Sequence, residues 1–140
     1  MTKQELRSYT KIEKEVQQIE GMMRELNARV YSPRVPVLTG MPGAPASSPG
    51  SAQEKIATEI MEIRERYERR VAELYAERRR IEDAIDGLDD PDQRMILRYH
   101  YIKGYSWKKT AQVSHIDEST VYRKHGRALQ ILKDASLCEY

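Results

Sequence analysis

The sequence predicts an all-α protein, in which a long two-helix coiled-coil arm is followed by a domain of three short helices. Two stretches of apolar residues spaced three and four apart predict the arm, because this spacing places them on one face of a helix. Five prolines and three glycines within residues 31–50 separate the two stretches. After position 89, three short segments each begin with a helix-capping residue, and these segments predict the terminal domain.

The first helix is predicted over residues 1–30. Its apolar residues alternate at intervals of three and four: Tyr9, Ile12, Val16, Ile19, Met23, Leu26 and Val30. So narrow an apolar stripe needs a partner helix to bury it. Residues 31–50 predict a linker or long loop, because proline interrupts regular helices. An alternative is that its apolar side chains, Val35, Val37, Leu38 and Met41, dock on a partner or on the helices.

The second long helix is predicted within residues 51–88, from about Ala52 to Gly87. Ser51 and Glu54 have the spacing of a capping box, and Gly87 lies where a C-terminal cap is expected. The apolar face carries Ile56, Ile60, Ile63, Tyr67, Val71, Leu74, Arg78, Ile81, Ile85 and Leu88. A step of four from Tyr67 to Val71 breaks the heptad register. We expect an antiparallel hairpin within one chain, and the alternative is a homo-oligomer, a dimer, formed through the same faces.

The terminal domain is predicted over residues 90–134. Asp90 and Pro91 are a favourable N-cap and first helical residue, and this helix should continue to Lys103 and Gly104. Ser106 should cap a short helix from Trp107 to about Val113, and Asp117 should cap a last helix that extends to about Lys133.

The last two helices have the pattern of a helix-turn-helix. Ala111 supplies the small residue required where two helices cross, and Trp107 and His125 are expected to pack inside. Further core positions are Ile116, Val121, Ala128, Leu129 and Leu132. This phase leaves the opposite face of the last helix open, with Glu118, Ser119, Tyr122, Arg123 and Gly126 on it.

Charge is distributed unevenly along the chain. Residues 91–134 contain nine Lys/Arg against four Asp/Glu, whereas residues 1–90 contain fifteen against seventeen. A polyanion is therefore attracted to the terminal domain. The sequence predicts that double-stranded DNA is bound there in the major groove, where the N-terminal half of such a helix reads bases.

Individual roles follow from the side-chain chemistry. Arg123 can donate two hydrogen bonds to guanine, Glu118 can accept one from cytosine, and Ser119, Thr120 and Tyr122 complete the predicted base-reading set. The predicted phosphate contacts are Ser106, Lys108, Lys109, Lys124 and Arg127.

Other functions have no support in the sequence. Its three histidines are scattered, and it contains no cysteine pair, zinc motif or phosphate-binding loop. We therefore expect no enzyme activity, cofactor, metal or small-molecule substrate. It also shows no apolar run long enough for a membrane helix and no secretory leader, which predicts no membrane partner and a location in the reducing cytoplasm.

Residues 91–132 resemble region 4 of bacterial sigma factors and the phage late-transcription regulators of the RinA and ArpU kind. The resemblance depends mainly on Arg94, Tyr101, Gly104, Ser106-Trp107, Ala111, Val121 and Arg127-Ala128-Leu129. The whole layout is similar to a family of small prophage-encoded proteins of uncharacterised role. It shares with them Ser32-Pro33, Leu38-Thr39-Gly40-Met41-Pro42 and the segment from Val121 to Leu129. This sequence departs from the pattern at Thr110, where isoleucine is usual, and at Ser114-His115, where Leu-Gly is usual.

The resemblance implies a phage or prophage transcription regulator with a sigma-region-4-like helix-turn-helix, located in the cytoplasm of a bacterial host cell, and a contact with host RNA polymerase. Two alternatives remain from the sequence. One is a DNA-packaging recognition protein similar in layout to small terminase subunits. The other is a coiled-coil interaction protein that does not bind DNA.

Overall fold

The computed structural model describes residues 1–30 and 49–138, and within these ranges every regular element is helical. The helices are α1 (Lys3–Val30), α2 (Pro49–Asp86), α3 (Pro91–Leu97), α4 (Trp107–Ser114) and α5 (Glu118–Cys138), and a π-helical turn (Arg98–Ile102) continues α3. The predicted all-α class is confirmed. The linker prediction, including docking of its apolar side chains, lies outside the described residues except at positions 49 and 50.

No helix in the described ranges has both the length and the apolar character needed to cross a membrane.

Helix α1 starts with a capping box that the sequence analysis did not identify. The Thr2 amide donates to Glu5 Oε2 at 2.7 Å, and the Glu5 amide donates to Thr2 Oγ1 at 3.2 Å. Two amides that lack intrahelical acceptors are thereby satisfied. The hydrogen bond from Thr2 also keeps the pKa of the Glu5 carboxyl below its ordinary value.

Helix α2 begins earlier than predicted. Its first residue is Pro49, three residues before Ala52, so Ser51 lies inside the first turn and is not the N-cap. The fixed φ of proline suits the first position of a helix, where no amide hydrogen is required. The other end agrees with the prediction, because α2 ends at Asp86 and the Gly87 amide donates to Asp83 O at 3.0 Å.

The chain divides into two compact units, and both long helices contribute to each. The first unit contains Met1–Glu15 and Leu74–Tyr140, and the second contains Val16–Glu73.

In the first unit, α1 and α2 run antiparallel within one chain. The Tyr9 hydroxyl donates to the Glu82 carboxylate, and Arg80 pairs with Glu5 at 3.0 Å. Apolar residues from both helices, and Leu88 just after α2, are buried here; those of the helices are Leu6, Tyr9, Ile12, Leu74, Ile81 and Ile85. Helix α5 also contacts the start of the chain, because the Met1 ammonium donates to Leu132 O at 3.2 Å.

The second unit also pairs the helices antiparallel. Arg64 donates to Asn27 Oδ1, and the Tyr67 hydroxyl contacts Met22 Sδ at 3.7 Å. Val16 and Ile19 are buried. The apolar residues that α2 contributes here are half-buried, as Ile60 and Ile63 are, or exposed, as Ile56 is at 57%.

The terminal helices pack around a small apolar core. Ile96 from α3, Ala111 from α4 and Val121 from α5 form its centre, and Trp107 and Ile116 pack against them. Ala111 is the small residue predicted at the helix crossing, and it lies between α3 and α5 side chains as expected. Ala128 and Leu132 are buried further along α5, whereas Leu129 is half-buried.

Candidate nucleic-acid interface

The predicted caps of α3 and α4 are both formed. Asp90 accepts from the Asp92 amide at 2.9 Å, and Pro91 is the first residue of α3. Ser106 Oγ accepts from the Lys109 amide at 3.2 Å. These caps set the start of each helix, and therefore the direction in which the side chains of the first turn project.

The turn between α4 and α5 is tight, and one of its residues adopts the left-handed backbone conformation. His115 has φ 57° and ψ 36°, a conformation that normally favours glycine. The Ile116 amide donates to Ala111 O at 3.2 Å, which closes the end of α4 in the manner of a Schellman motif. The structure thus retains a helix-turn-helix connection of three residues even though His115 replaces the usual glycine.

Helix α5 begins immediately after Asp117. The Val121 amide donates to Asp117 O at 2.9 Å, and the Ser119 hydroxyl donates to the Asp117 carboxylate. The last helix continues to Cys138, five residues beyond the predicted end at Lys133.

An aromatic-histidine cluster, consisting of His100, Tyr101, Trp107 and His125, joins α5 to the preceding helices. The His100 ring stacks on Trp107 with ring centres 3.7 Å apart, and Trp107 meets His125 edge-on at 4.4 Å. His125 Nε2 and the Tyr101 hydroxyl share a hydrogen bond of 2.6 Å. Packing of Trp107 and His125, predicted from the sequence, is confirmed, and the cluster holds α5 in a fixed rotation about its axis.

Burial in this cluster disfavours the charged form of both histidines. Removal from water lowers the pKa of His125 from 6.5 to about 4, and nearby Lys3, His100 and Arg7 act in the same direction. Burial also lowers the pKa of His100, although its hydrogen bond to Tyr105 O acts in the opposite sense. Since His100 Nδ1 lies 2.7 Å from that carbonyl oxygen, Nδ1 carries the hydrogen and donates it.

The π-helical turn supplies His100 and Tyr101 to the cluster. Its wider winding is visible in the bond from the Lys103 amide to Arg98 O, 3.0 Å long and spanning five residues. The turn ends at Ile102, and Gly104, two residues later, has a positive φ of 74°. Sequence reasoning predicted a continuous helix and missed this turn.

The predicted base-reading face of α5 is open to solvent. Glu118, Ser119 and Arg123 are exposed, and Tyr122 is 49% exposed with its ring 5.4 Å from Trp107. Thr120 differs from the other members because it is half-buried. The opposite side of α5 is the buried one, so within the first unit the face that could contact a duplex is left uncovered.

Lysines border this face at the start of α4. Lys108 and Lys109 are exposed on its first turn, and Lys109 Nζ lies 4.0 Å from the centre of the Tyr105 ring. Tyr105 stacks in parallel on Tyr99 at 5.7 Å. A cation–π contact of this kind holds a flexible lysine near one position without neutralising its charge. Arg127, on α5, is exposed as well.

Lys124 has carboxylate partners. Its ammonium group lies 2.7 Å from Asp92 Oδ2 and 3.4 Å from Asp90 Oδ2, and the bond to Asp92 raises the pKa of Lys124. This lysine therefore connects α5 to the start of α3, and its charge is already balanced. The phosphate contact of Lys124 stays a prediction, and these carboxylate partners, more than 30 residues away, could not be read from local spacing.

Two buried hydroxyls lie at the positions where the sequence departs from the sigma-like pattern. Thr110 Oγ1 and Ser114 Oγ are buried and have no hydrogen-bond partner within the described ranges. Both replace apolar residues, and they lie one turn apart on the inner face of α4. The helix is formed nonetheless, so the substitutions leave the connection between α4 and α5 intact.

Among residues 1–30 and 49–138, no group of three or more His, Cys, Asp or Glu side chains is arranged to hold a metal ion.

A family model described as protein of unknown function (DUF1492) matches residues 48–133, which are more than half of the chain and run from α2 into α5. No curated protein and no solved structure matches the chain.

Proposed function

The chain belongs to the DUF1492 family, and from this premise we propose that it is a phage or prophage transcription regulator that binds double-stranded DNA. Its helix-turn-helix would place α5 in the major groove. One observation carries the proposal: the N-terminal half of α5 presents exposed polar and basic side chains, while the aromatic-histidine cluster fixes the opposite side.

Base recognition is assigned to the exposed side chains of α5. Arg123 projects from the centre of the open face, where a guanidinium can donate to guanine O6 and N7. Tyr122 is held against Trp107, which gives its hydroxyl a restricted set of positions. Glu118 and Ser119 occupy the first turn, the part of a recognition helix that enters the groove most deeply. Thr120 is half-buried, so we assign it a smaller contribution to base recognition.

Phosphate binding is assigned to Lys108, Lys109 and Arg127, with Ser106 at the capped start of α4. The three cations are exposed, and each can contribute affinity without sequence preference. Lys124 is assigned to the fold, because Asp90 and Asp92 already occupy its ammonium group.

Salt-dependent binding is the first test. Fluorescence anisotropy with a labelled duplex of random sequence should show binding that weakens steeply as salt rises. The double variant Lys108→Ala/Lys109→Ala should bind more weakly and with a smaller salt slope, reduced by about 1 for each lost phosphate contact. Arg66→Ala, at an exposed position of α2, removes a positive charge elsewhere and should bind like the unmodified protein. Absence of binding even at low salt would rule out the proposal.

Sequence preference is the second test. Fragments of the encoding genome selected on the protein would identify its preferred site. On that site Arg123→Ala should cost about 1 to 3 kcal/mol and relax the choice at one base pair. An equal loss on every sequence would make Arg123 a phosphate contact.

Transcriptional regulation and contact with host RNA polymerase are supported by the resemblance to sigma region 4. The packaging alternative predicts a ring of many subunits, and the regulatory proposal predicts a monomer or a dimer. Light scattering of the full chain separates these two. A protein that assembles but never binds DNA would leave the coiled-coil interaction alternative.

A further inference from the structure

Gly126 lies on the open face of α5, in the interior of a helix of 21 residues. Glycine is one of the least favourable residues at such a position, by about 1 kcal/mol relative to alanine. Its φ is not positive, so the backbone does not require glycine here. The residue is also exposed.

Packing does not explain this glycine either. Apart from its chain neighbours and the backbone of its own helix, no atom of the described protein lies within 4 Å of where a Cβ on Gly126 would be. A larger residue would therefore fit, and it would strengthen the helix. The absent side chain leaves the helix backbone accessible to something outside the chain.

The position of Gly126 indicates what that partner is. It follows Ser119 by seven residues, and Arg123 by three, so it shares their face of the helix. Ser119 and Gly126 are separated by about 10 Å along the axis, at 1.5 Å per residue. In a helix-turn-helix the recognition helix lies in the major groove and its N-terminal residues contact base edges, so a residue two turns further along lies nearer the sugar–phosphate backbone. Arg127 is the next residue, and it is exposed.

We infer that Gly126 is the point where the sugar–phosphate backbone of double-stranded DNA comes into van der Waals contact with α5. The missing side chain lets the helix lie close to one strand, with Arg123 on the groove side and Arg127 beside the phosphates. This inference rests on the proposed function and adds a close-approach residue that bears no charge and no hydrogen-bonding side chain.

The test uses Gly126→Ala and Gly126→Leu in the full chain. Because alanine favours the helix, Gly126→Ala should raise the melting temperature by about 3 to 6 °C. The same variant should bind a labelled random-sequence duplex at least tenfold more weakly, and Gly126→Leu more weakly still. Retained or raised thermal stability together with reduced affinity supports the inference. Unchanged affinity, or reduced affinity together with a lower melting temperature, overturns it.

Gly21→Ala is the matched control, because it makes the same change in the interior of α1. A Cβ there would meet only the end of Arg24 at 3.7 Å, which is ordinary contact. Gly21→Ala should leave DNA affinity unchanged. The lysine double variant distinguishes failure of the close-approach inference from failure of the proposed function. If it weakens binding and Gly126→Ala does not, only the close-approach inference fails, whereas an unmodified protein that binds no DNA removes the proposed function as well.

Discussion

The buried His125 should make the stability of the fold depend on pH in the mildly acid range. In the folded protein its pKa is about 4, against an ordinary value of 6.5, because burial disfavours the charged ring. Between these two values the unfolded chain binds a proton that the folded chain does not. Stability is therefore highest above the unfolded pKa, and it decreases as the pH falls from about 6.5 towards 4.

The size of the effect follows from these two pKa values. A difference of one pKa corresponds to about 1.4 kcal/mol, so the complete effect of His125 is roughly 3 kcal/mol. Linkage between pH 7 and pH 5 gives a loss of about 2 kcal/mol in the free energy of unfolding. That loss is a large fraction of the net stability of a small domain, which is typically about 5 to 15 kcal/mol. His100, whose pKa is lowered too, adds a contribution of the same sign.

Urea unfolding at pH 7, 6 and 5, followed by circular dichroism, measures this loss. His125→Gln replaces the ring with an uncharged polar side chain, and it should flatten the pH dependence even if the variant is less stable at pH 7. His115→Gln is the control, because His115 is exposed in the turn between α4 and α5, and it should retain the full dependence. If His125→Gln loses stability between pH 7 and pH 5 as steeply as the unmodified protein, burial of the neutral ring is not the cause.

Further predictions concern the frame of the helix-turn-helix. His115→Gly should stabilise the protein by about 1 kcal/mol in urea unfolding, because glycine adopts positive φ without strain, and an unchanged or lower stability would contradict this. Thr110→Val should raise stability by about 1 kcal/mol, because it replaces an unpaired buried hydroxyl with a methyl group; a loss would indicate a partner for Oγ1. Lys124→Met should lower the melting temperature at low salt and less so at high salt, with Asp92→Asn giving a similar loss. Equal losses at both salt concentrations would show that the ion pair is not responsible.

Most helices of this protein could be predicted from the sequence because they depend on local features. Asp90 and Ser106 place oxygen acceptors next to amides that have no other partner, and Pro91 supplies the fixed φ of a first helical residue. Both caps form as predicted. The predicted start of α2 was wrong by three residues, because a capping box at Ser51 and a proline at position 49 both favour a helix start. The sequence offered no measure of which start is the more stable.

Sequence periodicity alone determined which face of α5 is buried and which is open, since Val121, His125, Ala128 and Leu132 repeat with the period of a helix. Only the tertiary structure decided the partners of side chains distant in the chain. It paired Lys124 with Asp90 and Asp92, and it brought His100 and His125 into ring contact with Trp107. Helical spacing repeats within a few residues, but ion pairs and ring contacts depend on how separate helices cross, and that geometry is set by the packing of the whole unit.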